Sequence, residues 1–329
     1  MAARRYYADP KLRPKLDPTL FALQENELDF FRTLTGIQDD DKLKEHILAA
    51  QAKAYDVYGY PCIRSFGFTK LKIARIDPGY KNALRLLKER KNPILLDIAC
   101  CFGNDARKAV LDGWPVENVI ASDLQQGFWD AGHDLFNSTP ETFPAAFVPG
   151  DVFDPAMLKP RGAFITEEDI ASIPTTTPPL KELTSLTPLQ GKISAIHASS
   201  FFHLFQEDKQ LELAHLLASL LSPEKGSVIF GQHGARPIKG YRTEAIHVQP
   251  LKDEDGNTIP PVQMFCHSPE SWKELWTEQI FAGPDGKGSE RIKVDTQLVE
   301  VFRKDLHSAF LNYTEDMKFY LMSWCITRL

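Results

Sequence analysis

One stretch constrains this chain more than any other. A short apolar strand ends on Asp97, passes through Ala99, Cys100 and Cys101, reaches Gly103 and opens a helix. A buried strand delivers the backbone to a tight turn, and small side chains let a ligand approach it. The helix that follows offers free N–H groups at its N-terminus. Gly103 is needed whatever the ligand, because the backbone must turn there. A single glycine makes a weak nucleotide signature when taken alone.

The next segments strengthen it. Val119 to Leu124 is a second apolar run, with Asp123 near its end. Its distance from the turn is slightly more than the roughly 20 residues usual for an acid that accepts from ribose hydroxyls. Ala146 to Phe153 gives a third strand, ending at Asp151, Ile193 to Ala198 a fourth, and Gly226 to Gly231 a fifth. Between the last two, Leu211, Leu213, Leu216, Leu217 and Leu220 make the apolar face of a helix over 206–221. Strands alternating with helices predict a mostly parallel α/β sheet covered on both faces. Ile292 to Phe302 and Lys318 to Arg328 are expected as the last two strands, a closing antiparallel pair.

Three acids at successive strand ends separate two cofactor readings. Pyrophosphate wants several glycines and close backbone N–H groups, and Asp97 would repel it. S-adenosylmethionine carries no phosphate, only a sulfonium and an amino-acid end, so an acid-rich, glycine-poor turn suits it. On that reading Asp97 helps place the ammonium, Asp123 holds the ribose and Asp151 accepts from the adenine amino group. Val152 and Phe153 flank the ring, with Leu124 on its other side. A nicotinamide dehydrogenase remains the disfavoured alternative.

These residues resemble the class I S-adenosylmethionine-dependent methyltransferases, with their Rossmann-like fold. More narrowly they resemble fungal secondary-metabolite O-methyltransferases of the austinol and terretonin meroterpenoid type. The matching pieces are Leu96 to Gly103, Ser122 to Leu124 with Gly127 to Asp130, Gly150 to Asp154, Ile196 to Phe205 and His267 to Trp272. Tyr60 to Arg64 is similar to that group's N-terminal signature, so the likeness runs from about Tyr55 to Leu329. Ala99 departs from the superfamily, which usually has glycine two residues after the acid. The resemblance implies a seven-stranded, mostly parallel sheet with an antiparallel last strand. It also implies methylation of an oxygen, carboxylate or phenol, on a small hydrophobic polyketide or terpenoid intermediate. N- or C-methylation of a small molecule and a non-catalytic cofactor-binding regulator stay open.

Bulk properties agree with a small-molecule site. The net charge of −6 and pI of about 5.9 disfavour a nucleic-acid partner. No apolar run of about 20 residues and no leader-like segment after Met1 stand out, so a cytoplasmic chain without a membrane partner is expected. Self-association into a homodimer is left open. The 5 cysteines are odd in number and lack metal-ligand spacing, which predicts reduced thiols and no metal.

Helices are expected at Glu25 to Leu34, Asp39 to Val57 and Tyr80 to Arg90. Residues 1–90 thus read as an N-terminal helical cap and lid, and 91–329 as the cofactor-binding domain with an insertion at about 235–266. Ile173 to Pro188, broken by prolines, reads as a surface loop. Asp253 to Asn257 is a turn signal within the insertion. Ser268 N-caps a helix running to Phe281, with Pro269 at its first position.

Candidate catalytic residues are His203, His233, His267 and Arg64. Tyr60, Arg64 and Ser199 are candidates for touching substrate, and His197 for touching the cofactor. His197, Ser199 and His203 follow the fourth strand, and His233 is expected after the fifth. For each the bland alternative is a buried structural histidine or a structural ion pair. A carboxylate acceptor is already ionised and needs only placement, whereas a phenol needs a general base.

Overall fold

The computed structural model describes residues 9–10, 13–244, 262–301 and 318–329. The strands are β1 (Leu95–Ile98), β2 (Val119–Asp123), β3 (Ala146–Pro149), β4 (Ala195–His197) and β5 (Val228–Ala235), then β6 (Gly240–Glu244), β7 (Val262–Cys266), β8 (Ile292–Glu300) and β9 (Tyr320–Arg328). Seven of them form one sheet in the order β3-β2-β1-β4-β5-β9-β8, and β6 and β7 form a separate antiparallel pair. The first five in that order are mutually parallel, and β9 runs antiparallel to both β5 and β8. The seven-stranded, mostly parallel sheet with an antiparallel last strand is therefore as expected, a Rossmann-like architecture.

The helices include α1 (Glu25–Thr35), α2 (Asp40–Val57), α3 (Pro61–Arg64), α4 (Gly79–Glu89), α5 (Asn104–Leu111), α6 (Gln126–Leu135), α7 (Glu207–Leu220) and α8 (Pro269–Glu274), with short ones at Glu167–Ala171 and Gly288–Arg291. Asp39 caps α2 by accepting from Lys42 N, and Ser268 caps α8 by accepting from Ser271 N, so local capping chemistry sets both starts. The predicted helix after Ser268 continues past α8 as a π-helical turn over Leu275–Ile280.

Strand alternation divides the core in two. Leu96, Ile196 and Ile229 face the leucines of α7, Leu213, Leu216, Leu217 and Leu220. Their neighbours Leu95, Ala195, Val228 and Phe230 face Tyr80, Ala83 and Leu86 of α4. A third cluster joins α1 and α2 to α6 through Phe30, Phe31, Ile47, Phe128 and Phe136.

Several expectations need correction. The fifth strand runs on to Ala235, because β9 pairs with it along its whole length. The third stops at Pro149, leaving Asp151 in the loop beyond. The proline-broken stretch is not simply surface loop. Leu180, Leu183, Leu186 and Leu189 are buried in the core, and the three-residue spacing matches the 3-10 turns at Leu180–Glu182 and Thr187–Leu189. Asp253 to Asn257 and Phe302 lie outside the described residues.

Candidate functional site

Reading the sheet from β3 to β5, the chain order reverses between β1 and β4. Open α/β sheets place ligands in the crevice at the carboxyl ends of such a pair. Asp97 of β1 and His197, the last residue of β4, stand there side by side.

The turn after β1 is tightly specified. Ala99 (φ 56°), Cys101 (φ 53°) and Gly103 (φ 71°) all adopt left-handed backbone. Only glycine does so freely, and a residue with a Cβ loses roughly 1–2 kcal/mol there. The turn therefore follows the spacing of a glycine-rich loop with alanine and cysteine at two of its glycine positions. At Gly103 no substitute fits, because a Cβ would come within 2.5 Å of Trp129 Cζ3. Two side chains hold the turn in place. Asp123 accepts from Cys101 N and Gln125 N, both at 2.9 Å. Arg107 Nη1 donates to Phe102 O at 3.1 Å, with its guanidinium packed over the rings of Trp129, Phe136 and Phe143. Burial lowers the Arg107 pKa to about 9 and raises that of Asp123 to about 6.

The segment before α4 closes over this turn. Asn104 Nδ2 donates to Phe68 O at 2.6 Å, and Asp105 Oδ1 accepts from Ile73 N at 2.9 Å. These bonds bring Lys70 and Lys72 to the rim of a cavity also lined by Asp97, Ala99, Cys101, Asp105, His197 and Ser199. Lys70 is committed elsewhere, 2.7 Å from the fully buried Glu27, which Arg75 also pairs. The Lys72 ammonium has no hydrogen-bond or ion-pair partner among the described residues. Burial raises the Asp105 pKa, and Asp97 adds to that while His197 opposes it. The cavity is thus lined by two carboxylates, Asp97 and Asp105, and by an uncommitted ammonium.

The sequence candidates fall into three groups. Asp97, Ala99, His197 and Ser199 line the cavity, and Asp123 reaches the same turn through Cys101. Leu124 stands 51% exposed at the end of β2, and Asp151 is exposed beyond β3 with Oδ1 accepting from Phe153 N at 3.1 Å. Val152 is part of the core, and Phe153 packs against it, edge-on to Phe205. Tyr60 is half-buried against Tyr58 and Phe128. Its phenol is pushed up by burial first, and then by the nearby Tyr58 and Asp123.

None of the remaining candidates lines the cavity. Arg64 is not among its lining residues, and its Nε donates to Lys15 O at 2.8 Å. His233 lies inside β5 and not after it. It is 1% exposed, accepts from Trp324 Nε1 at 2.9 Å and packs on Trp272 and Phe202. His267 is 3% exposed, with Nδ1 at 2.9 Å from Ser271 Oγ. His203 accepts weakly from Gly234 N at 3.4 Å. Burial is the main cause that lowers His203 to about 3 and His267 to about 4, and it takes His233 well below the ordinary histidine value.

Sequence reasoning missed Lys72, Asn104 and Asp105. Asn104 and Asp105 directly follow Gly103 at the start of α5, so their position was a usable signal. Lys72 sits in a segment that no motif marks. Among the described residues there is no metal-binding cluster of His, Cys, Asp or Glu, and no helix long and apolar enough to cross a membrane.

Comparison with known proteins agrees with the sequence resemblance. Residues 15–69 match the family model described as the meroterpenoid methyltransferase N-terminal domain. The O-methyltransferase phiE of a Fungal sp. (strain ATCC 74256) is 30% identical over 238 residues, 72% of this chain and 65% of that protein. Methyltransferase ausD of Aspergillus calidoustus is 29% identical over 72% of this chain and 70% of its own length. The Asnovolin E/Chermesin D methyltransferase nvfJ of Aspergillus novofumigatus is 29% identical over the same shares. A solved structure of a putative S-adenosylmethionine-dependent methyltransferase from Listeria monocytogenes overlaps at a TM-score of 0.39 and 11% identity. It covers 75% of this chain and 98% of that one, a likeness too distant to carry an argument.

Proposed function

We propose that this chain, a homologue of fungal methyltransferases that carries the N-terminal domain of the meroterpenoid group, transfers a methyl group from S-adenosylmethionine to a carboxylate oxygen of a small hydrophobic acceptor. The observation that carries the reading is the cavity at the β1–β4 crossover, lined by Asp97, Asp105 and a Lys72 whose ammonium has no partner among the described residues. An α-amino acid end has an ammonium and a carboxylate, and this cavity offers a counter-charge for each. Asp123, already fixed by two backbone N–H groups, has lone pairs left for ribose hydroxyls. The exposed Leu124 offers adenine an apolar face, with Asp151 beyond it.

When bound, S-adenosylmethionine supplies an electrophilic methyl carbon that the acceptor oxygen takes by direct displacement. The protein's part is then to orient two molecules and exclude water, which is worth roughly 7–11 kcal/mol in favourable cases. The histidines favour a carboxylate over a phenol. A base with a pKa of about 3 or 4, as at His203 and His267, is too weak to remove a phenolic proton usefully at neutral pH. A carboxylic acid with an ordinary pKa near 4 arrives already ionised.

Transfer of labelled methyl from S-adenosylmethionine to matched panels of hydrophobic carboxylic acids, phenols and amines tests this reading. Transfer to acids that survives His203→Ala and His267→Ala is expected. Transfer confined to phenols or amines, or tight cofactor binding with no transfer to any class, would overturn it.

A further inference from the structure

Hydrogen bonds run in one line across three neighbouring strands. Gln232 N on β5 donates to Ser199 Oγ at 3.3 Å. Ser199 Oγ lies 2.7 Å from His197 Nε2, and His197 Nδ1 lies 2.8 Å from Asp97 Oδ1. The other oxygen of Asp97 accepts from Ala106 N, in the first turn of α5, at 3.2 Å. We propose that Ser199 and His197 are positioning residues that aim Asp97 at the ammonium of the cofactor's amino-acid end. This rests on the cofactor reading given above.

The side chains of Asp97 and His197 are only 3% and 2% exposed. A carboxylate this deep needs donors to hold its charge. Asp97 has two, one per oxygen, which fix the plane of the group. About four lone-pair directions exist on a carboxylate, so those left over are available to the cavity that Asp97 lines. Asp97 can only accept, so His197 Nδ1 carries the hydrogen. The second ring nitrogen is taken by Ser199. Neither nitrogen of His197 is left for a ligand, and it acts on one only through Asp97. Ser199 is one step further back. Its Oγ is shared between His197 and the backbone of β5, which anchors the line to the neighbouring strand.

Two ligands separate positioning from general packing. S-adenosylhomocysteine carries the amino-acid end, whereas 5′-methylthioadenosine shares the nucleoside and thioether and lacks that end. Calorimetric titration of both, with thermal unfolding as a check on folding, gives their affinity ratio for each variant. His197→Leu should weaken S-adenosylhomocysteine roughly 10- to 100-fold, the range for losing a hydrogen bond to a charged group, and leave methylthioadenosine within about threefold. His197→Asn keeps an N–H near the Nδ1 position and should retain most of the wild-type ratio. Ser199→Ala should fall between them, at roughly 3- to 10-fold on S-adenosylhomocysteine alone. Equal losses on both ligands, or an unchanged ratio in His197→Leu, would overturn the proposal. If His197→Leu does not fold, an unchanged ratio in Ser199→Ala has the same force. Wild-type protein that binds neither ligand would overturn the cofactor reading, and this proposal with it. Binding of methylthioadenosine without S-adenosylhomocysteine would do the same, because the cofactor reading rests on the amino-acid end.

Discussion

β4 and β5 lie side by side, and each carries a histidine that the sequence puts forward for chemistry. His197 closes β4 at the mouth of the crossover, tied to an aspartate and a serine in a cavity edged by Asp105 and Lys72. His233 sits within β5, enclosed by Phe202, Trp272 and Trp324. Among the described residues its imidazole has one hydrogen bond, from an indole, and its Nε2 has no partner. The first region spends burial on holding charged and polar groups in place along a cavity. The second spends it on packing three large rings around a neutral imidazole. Residue type and distance along a strand do not tell the two apart; the neighbours do.

The sharpest way to break this contrast is through the aromatic block. Trp324→Ala should lower the unfolding free energy by about 3–5 kcal/mol in chemical denaturation. Affinity for S-adenosylhomocysteine, measured on the folded fraction, should change by no more than about threefold. A mutant that keeps its stability and loses its ligand would reverse the assignment of the two regions. Lys72→Met should do the opposite. Stability should stay within about 0.5 kcal/mol of wild type, and S-adenosylhomocysteine should bind roughly tenfold more weakly. Unchanged affinity would leave the carboxylate of the amino-acid end without its expected partner.

The pH dependence sharpens the comparison further. Burial raises Asp123 to about 6 from the ordinary 3.8. In the free protein, its contribution to stability is therefore present below about pH 4 and lost as pH rises through 6. Ribose hydroxyls favour the ionised form, so ligand affinity should run the other way, about tenfold tighter at pH 7.5 than at pH 5. Thermal shifts with S-adenosylhomocysteine at the two pH values check this, and Asp123→Asn should flatten the difference. The smallest effect is expected at the turn. Ala99→Gly relieves a left-handed alanine and should stabilise by at most about 1 kcal/mol, because glycine's greater chain entropy offsets part of the gain.

Much of the fold was legible because the relevant signals are local. Five parallel strands announce themselves as apolar runs, and Asp39 and Ser268 mark helix starts that the structure keeps. The length of β5 was hidden because its last four residues, Gln232 to Ala235, owe their strand state to pairing with Ser323 to Tyr320 of β9, far along the chain. The leucines from 180 to 189 looked like loop because prolines hid a three-residue period. At the site, strand-end acids were readable by position. Lys72 was not, since its segment is brought over the cavity by tertiary bonds, from Asn104 Nδ2 to Phe68 O and from Ile73 N to Asp105. Arg64 looked equally suitable by type, but its guanidinium is turned to Lys15 O.

Calorimetric titration of S-adenosylhomocysteine into wild-type protein and Asp123→Ala tests the central claim most directly. Asp123 holds the turn and faces the expected ribose site. The account predicts clear wild-type binding and a loss of at least about 30-fold in the variant, the cost of removing hydrogen bonds to a charged acceptor. Wild-type binding that survives Asp123→Ala unchanged, or no wild-type binding at all, would contradict it.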